Sequence, residues 1–258
     1  MDPISRGITK LRRYFLEKSC AAKIKQLPSW PILAGYLEKT NSTGCSFTDY
    51  WYLYETIRTG RHQEVLECGT GVSTIVIAIA LKDNEQEFSL RGRVTSMEEK
   101  EEWYTLAGKL LPQELQGYVD LRYSPKMEYT HSLFRGVGYA DVPERAYTLV
   151  FIDGPGTIAP SDGTRTFNFD YINVVRRTSQ PVLGLIDKRL STCFVYSKIF
   201  GNSNIRYDEV RSLGIVGPCL ATDIREAKKS SSVAFTGGLK TFGRTIIDMD
   251  VERCSLIE

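Results

Sequence analysis

The chain of 258 residues lacks any run of the roughly 18 to 20 consecutive apolar residues that a membrane-spanning helix needs. Its most apolar helical stretch, Ile75 to Leu81, covers about two turns. Histidine is scarce, with only His62 and His131. The six cysteines, Cys20, Cys45, Cys68, Cys193, Cys219 and Cys254, include no C-x-x-C pair and no histidine at ligand spacing, which argues against a zinc site and for reduced thiols. Charge of one sign is also missing, since 33 basic residues against 31 acidic ones leave a net charge of +2. A nucleic-acid partner is therefore not expected. The N-terminus, Met1-Asp2-Pro3, turns charged without the apolar core and cleavage site of a secretory signal, so the expectation is a cytoplasmic protein. What is present, 42% hydrophobic and 25% charged residues, excludes disordered and fibrous classes and suffices for one generous core.

The first 45 residues read as a helical extension and residues 46–258 as the main domain. Over residues 4–26, Ile4, Ile8, Leu11 and Phe15 recur at helical spacing while Arg6, Lys10, Arg12, Arg13, Lys18, Lys23 and Lys25 face elsewhere. Such a basic amphipathic helix can attach to an anionic membrane surface; the plainer reading is a helix packed on the domain with a solvated face. After Pro28 and Pro31, a second helical stretch rich in aromatics runs from about Thr48 to Arg58. From Glu64 onward, β-branched runs alternate with helical ones, the pattern of a parallel sheet with crossover helices. The expected strands are Glu64 to Cys68, Arg93 to Met97, Val119 to Tyr123, Thr148 to Ile152 and Val182 to Ile186. The expected helices are Ser73 to Lys82, Glu99 to Leu111, Phe167 to Thr178 and Leu190 to Phe200. Further on, Ile205 to Arg211, Ser232 to Phe235 and Arg244 to Met249 suggest edge strands, and residues 217–242 a long loop. The fold class is thus α/β, a doubly wound, mostly parallel seven-stranded sheet with helices on both faces.

Chemistry concentrates where the first strand meets the following helix. Glu67 is followed by Gly69-x-Gly71 and then by Ser73-Thr74 opening the helix. Glycines there let a ligand approach the main chain, and the helix start offers unpaired N–H groups to an anionic group. A dinucleotide fingerprint requires a third glycine, and Thr74 stands in that place. Glu98 closes the second strand, where a carboxylate can accept from both hydroxyls of a ribose. Asp153, in Phe151-Ile152-Asp153-Gly154-Pro155, closes the fourth and faces the same crevice.

The run Val65-Leu66-Glu67-Cys68-Gly69-Thr70-Gly71-Val72-Ser73-Thr74, together with Ser96-Met97-Glu98 and Phe151-Ile152-Asp153-Gly154-Pro155, resembles the Rossmann-like (class I) S-adenosylmethionine-dependent methyltransferases over roughly residues 45–200. The resemblance implies S-adenosylmethionine as cofactor. It implies that Glu67, Gly69, Thr70 and Gly71 shape the methionine pocket and that Ser73 and Thr74 face its carboxylate. By the same likeness Glu98 takes the ribose diol, Ser124 lies beside the adenine and Asp153 borders the donor.

The acceptor side is less constrained. A hydroxyl acceptor must lose a proton, and Asp153 is the candidate base by position, with donor orientation as its other role. His131, in the 125–146 connection read as a covering loop, is a second candidate, and an exposed loop histidine is the plainer reading. His62, before the first strand, reads as structural. Asp187 and Lys188 follow the fifth strand and are candidate acceptor contacts, or else a solvated strand end. Some relatives hold magnesium at such strand ends, but Gly154-Pro155 and Lys188-Arg189 do not follow that pattern, so a divalent metal is not expected. The expected function is methyl transfer to an oxygen of a small-molecule or glycan acceptor. The alternatives are a nicotinamide-dependent oxidoreductase and a non-catalytic methyltransferase-like binding module. An oligomer is compatible with all three.

Overall fold

A computed structural model describes residues 3–40 and 46–226. The chain opens with two helices, α1 (Pro3–Lys25) and α2 (Trp30–Leu37), before α3 (Phe47–Gly60) leads into the sheet. A capping box fixes the start of α3: the Ser46 N–H donates to Asp49 Oδ2 at 2.9 Å, and the Asp49 N–H donates to Ser46 Oγ at 3.3 Å. Glu17 of α1 covers the same terminus, accepting from the N–H groups of Phe47 and Thr48 at 2.9 and 3.0 Å and from the Thr48 hydroxyl at 2.7 Å. A carboxylate at a helix N-terminus satisfies orphan donors and opposes the helix dipole. That contact ties α1 to α3.

The α/β order follows: β1 (Glu64–Cys68), α4 (Val72–Phe88), β2 (Arg93–Glu98), α5 (Glu101–Leu110), β3 (Val119–Tyr123), a hairpin of β4 (Lys126–His131) and β5 (Phe134–Tyr139), β6 (Leu149–Ile152), α6 (Asp170–Arg177), β7 (Val182–Asp187), α7 (Leu190–Ile199), β8 (Ile205–Asp208) and β9 (Leu213–Cys219). Seven strands form one sheet in the order β3-β2-β1-β6-β7-β9-β8, and β4-β5 stand apart as a two-stranded sheet. The pairs from β3 through β7 are parallel, whereas β9 runs antiparallel to both β7 and β8. Strand order reverses between β1 and β6, and a crevice opens at such a reversal, beyond the carboxyl ends of the strands.

Alternation along the strands divides the core in two. Val65, Val94, Leu149, Phe151 and Leu185 point to one face, under α4 and the N-terminal helices. Leu66, Met97, Val150, Ile152 and Ile186 point to the other, beneath α6, α7 and the aromatics Phe134, Phe167, Phe169, Tyr171 and Tyr196. Burying each such side chain contributes roughly 1.5 to 3 kcal/mol. The first half of α4 is enclosed all round, every residue from Val72 to Leu81 being buried, while its polar second half reaches the surface at Gln86 and Glu87.

The sequence reading departs from this structure in several places. Residues 125–146 are no long loop, since 126–139 fold into the β4–β5 hairpin, closed by Ser132 at φ +55°. The glycines of Phe134-Arg-Gly-Val-Gly-Tyr139 mask that strand in the sequence, yet space requires both: a Cβ at Gly136 would stand 2.8 Å from the Phe167 ring, and one at Gly138 2.8 Å from Asp170 Oδ1. The helix expected from Phe167 begins only at Asp170, because Val137 of β5 engages the main chain of Phe167 and Phe169 on either side of Asn168 (2.8 and 2.7 Å) and holds it extended. β9 occupies residues 213–219, so the last three, read from the sequence as the start of a long loop, continue the strand. The strands expected at Ser232 to Phe235 and Arg244 to Met249, and most of the 217–242 loop, lie outside the described residues. Cys20, Cys68, Cys193 and Cys219 are buried free thiols. No helix among the described residues is long and apolar enough to cross a membrane.

Candidate functional site

Register places the sequence-derived candidates in one row. Cys68 pairs with both Met97 and Ile152, and Ile152 pairs with Ile186. One step further along, Gly69, Glu98, Asp153 and Asp187 therefore stand level at the carboxyl edge. Main-chain bonds extend the pairing there, with the Gly69 N–H on the Met97 carbonyl and the Asp153 N–H on the Cys68 carbonyl, both at 2.9 Å.

At the β1 end a buried hydroxyl–carboxylate network holds the turn. Glu67 is fully buried, and its Oε2 accepts from Thr74 Oγ1 at 2.5 Å and from Ser96 Oγ at 2.7 Å. The Thr74 hydroxyl in turn accepts from the Gly71 N–H at 3.0 Å, closing the first turn of α4 onto the strand. Glu67 Oε1 has no hydrogen-bond partner. Burial pushes the Glu67 carboxyl up to about 7, against the pull of Ser73, Ser96 and Thr74. Gly69 sits at φ +102°, where only glycine is unstrained, and a Cβ there would press on the Asp153–Gly154 peptide at 3.2 Å. From the other side, a Cβ on Gly154 would meet Tyr139 Oη at 2.8 Å and Gly69 Cα at 3.0 Å.

Glu98 is 8% exposed and lies beside that turn, its Oε1 accepting from the Lys100 N–H at 2.9 Å and its Oε2 from the Thr70 N–H at 3.4 Å. Burial raises its pKa. Ser124 is buried after β3, with its N–H on the Glu98 carbonyl at 2.9 Å and its Oγ accepting from the Asp141 N–H at 3.0 Å. It fastens the root of the hairpin to the sheet edge.

Beyond the reversal the edge is charged and drawn from distant segments. Arg189 clamps the turn after β6: its guanidinium donates to the Asp153 carbonyl, reaches Pro155 O at 3.3 Å and pairs with the Asp153 carboxylate at 3.6 Å. Asn168 Nδ2 donates to the Gly154 and Pro155 carbonyls, each at 2.8 Å. On the opposite flank, Glu99 accepts from the Gly156 N–H at 2.6 Å and pairs with Lys126 at 3.1 Å. Asp187 is buried beside Lys188, whose ammonium lies 3.5 Å from Asp187 and 3.9 Å from Asp49 of α3. Asp187 is raised, by burial first and then by the negative charges of Asp153 and Asp49. One oxygen each of Asp49 and Asp187 lacks a partner. Lys188 adopts φ +52°, a costly conformation for a side-chain-bearing residue at a strand end.

His131 is not brought to this edge. The hairpin root, Lys126, touches Glu99 and Gly156, while His131 lies five residues along the strand, roughly 16 Å away. There its ring bonds the Arg225 carbonyl at 2.9 Å and Arg176 at 2.6 Å. His62 bonds Thr148 Oγ1 at 2.9 Å near the strand starts. Sequence reasoning missed Asp49 and Asn168, took Arg189 as an acceptor contact or a solvated strand end rather than as the clamp of the Asp153 turn, and missed Tyr36 of α2, buried near Glu67, whose charge helps burial raise the tyrosine's pKa. Only the Ser-x-x-Asp spacing at Ser46 to Asp49 carried a signal, and that signal speaks of a helix cap. Among the described residues no three His, Cys, Asp or Glu side chains are grouped to hold a metal ion.

No protein-family model and no curated protein matches the chain. Solved structures do. A Staphylococcus aureus protein assigned as a caffeoyl-CoA O-methyltransferase superposes with a TM-score of 0.51 at 15% identity, covering 78% of this chain and 97% of that one. An Aquifex aeolicus SAM-dependent methyltransferase, 14% identical, covers 76% and 96% with a TM-score of 0.35. Strand order, the reversal at β1 and the first of these superpositions agree that the chain has the Rossmann-like fold of the class I S-adenosylmethionine-dependent methyltransferases.

Proposed function

We propose that the protein is an S-adenosylmethionine-dependent methyltransferase acting on an oxygen of a small-molecule or glycan acceptor, with residues 46–258 as its catalytic domain and residues 1–45 as a helical extension. The observation that carries the reading is the level row of Gly69, Glu98, Asp153 and Asp187 at the strand reversal. The donor fits this row on three counts. Glu67 offers a buried, unpartnered carboxylate oxygen to an ammonium. The Gly69–Gly154 approach leaves no room for a Cβ on either residue. Glu98 turns a carboxylate toward Thr70, where a diol can displace a 3.4 Å main-chain contact.

In this reading Glu67, Gly69, Thr70 and Gly71 hold the methionine part, Ser73 and Thr74 present the helix terminus to its carboxylate, and Ser124 borders the adenine. The bound donor supplies a methyl group on a positively charged sulfur. The protein's task is alignment of nucleophile, carbon and sulfur, and removal of the acceptor proton. Asp153 lies nearest the donor, but its carboxylate is engaged by the Arg189 guanidinium at 3.6 Å, and the same group holds the Asp153 carbonyl. Asp187, raised by burial first and then by the charges of Asp153 and Asp49, is the better proton acceptor. Lys188, between Asp187 and Asp49, then orients the incoming hydroxyl. In such a transfer the acceptor oxygen would take the methyl group, with the carbon–sulfur bond broken and its electron pair left on sulfur, while the hydroxyl proton would pass to the Asp187 carboxylate. A cytoplasmic location belongs to the same proposal.

Calorimetry tests it with S-adenosylmethionine, S-adenosylhomocysteine and NADH as ligands. Both sulfur nucleosides are expected to bind and NADH is not. Binding of NADH alone would turn the reading toward an oxidoreductase.

A further inference from the structure

We infer that α1 is a docking element for an anionic lipid surface, a role independent of what occupies the crevice. The helix has two unlike sides. Arg13, Glu17, Cys20 and Ile24 recur at i, i+4, i+7 and i+11 and face the body of the protein: Arg13 donates to the Glu209 carbonyl, Glu17 caps α3, and Cys20 and Ile24 are buried. The other side carries Ile8, Leu11, Tyr14 and Phe15, exposed at 49, 57, 53 and 60%. Ile8, Leu11 and Phe15 follow i, i+3, i+7, so they form one stripe, with Tyr14 beside Leu11, turned away from the domain. Five other large hydrophobic side chains, among the described residues, are similarly exposed, and they are scattered over the rest of the chain.

Charge selects the occupant. Exposed Lys10 and Arg12 flank the stripe, and Lys18 extends it, its ammonium 4.5 Å over the Tyr14 ring. No acidic residue lies between Pro3 and Leu16, and Glu17 is turned inward onto α3. An apolar stripe rimmed by cations and free of acids matches the interface of an anionic bilayer, with aliphatic and aromatic groups in the acyl boundary and ammonium and guanidinium groups among the headgroup phosphates. A second copy of the chain would bring the same cations against each other. Because Glu17 also grips the α3 terminus that carries Asp49, a docked α1 holds the Asp49–Lys188 end of the sheet edge close to the surface.

Sedimentation of the full chain with vesicles tests this, using phosphatidylcholine alone and phosphatidylcholine mixed with phosphatidylglycerol at about three to one. The wild type is expected to pellet with the mixed vesicles at low salt and to be released at high salt. Leu11→Glu/Phe15→Glu and Lys10→Glu/Arg12→Glu should each lower partitioning at least about tenfold. Both pairs are exposed, so far-UV circular dichroism and the melting midpoint should match the wild type. Equal pelleting of wild type and variants, or none by the wild type, overturns the inference. A concentration-dependent dimer abolished by Leu11→Glu/Phe15→Glu without vesicle binding would assign the stripe to a second copy. A lowered melting midpoint without vesicle binding would assign it to another part of the same chain.

Discussion

The two halves of the crevice are built differently. On the β1–β2 side, Glu67, Thr74, Ser96 and Glu98 come from one strand–turn–helix–strand unit and interact through short hydrogen bonds among hydroxyls, main-chain N–H groups and carboxylates. On the β6–β7 side, Asp49, Asp153, Asn168 and Lys188-Arg189 arrive from four separate segments and interact through ion pairs and side chain to main chain clamps. The first half is a local structure that one helix turn can enforce. The second exists only once the whole fold has closed. This contrast suits a crevice in which a common donor meets the contiguous half and a particular acceptor meets the assembled one.

The sharpest test of the division is Glu98→Ala. Losing hydrogen bonds between a charged group and the ribose hydroxyls should weaken S-adenosylhomocysteine binding by roughly 1.5 to 3 kcal/mol. Asp187→Asn, on the other side of the reversal, should leave that affinity unchanged. Equal losses for the two variants in titration calorimetry would dissolve the distinction between halves.

Gly154→Ala probes the seam between them. Its Cβ would have to displace Tyr139 Oη, itself donating to the Met97 carbonyl at 3.1 Å, or the Gly69 main chain. Overpacking of this kind costs about 1 to 3 kcal/mol. Thermal unfolding should register that loss, together with weakened donor binding because Gly69 is forced to move. A melting midpoint equal to that of the wild type would mean that the turn has slack the contact distances do not suggest.

The same contrast explains what could be read from the sequence. Glu67, Gly69, Gly71, Thr74 and Glu98 lie within 32 residues and repeat a strand–turn–helix grammar, so their placement at one edge follows from hydrophobic periodicity. The central parallel strands, β1, β2, β6 and β7, were legible for the same reason: each is a short run buried on both faces. The hairpin was not, because Gly136 and Gly138 break its pattern and are required by Phe167 and Asp170 packed against them. Asp49 reads as a helix cap, and it is one; its approach to Lys188 depends on a contact across 139 positions that no local pattern encodes. Arg189 reads as a solvated strand end, yet its guanidinium holds the Asp153 turn from the next strand over. His131 draws notice by its residue type and by a connection that reads as a covering loop, and the hairpin carries it away from the crevice.

The smallest expected effect concerns a single proton on Glu67, and it separates donor binding from general acid–base behaviour. The ordinary value of 4.5 rises to about 7 on burial, so between those values the folded protein holds a proton that the unfolded chain has released. Stability from this group is complete below 4.5 and declines as pH rises through about 7. Asp170, pushed from 3.8 to about 7 by burial, adds a slope of the same sign, so the stability profile alone does not isolate Glu67. Ligand binding does. A donor ammonium beside Glu67 favours the carboxylate, so binding near neutral pH should expel part of a proton and tighten as pH rises, by less than about 1.4 kcal/mol per pH unit. Asp170, on the other face of the sheet, should not respond. Calorimetric titrations with S-adenosylmethionine in two buffers of different protonation enthalpy measure that release directly. Glu67→Gln should abolish it while leaving the stability slope from Asp170 in place. Undiminished release by the variant would move the ammonium, and the donor's methionine end, away from Glu67.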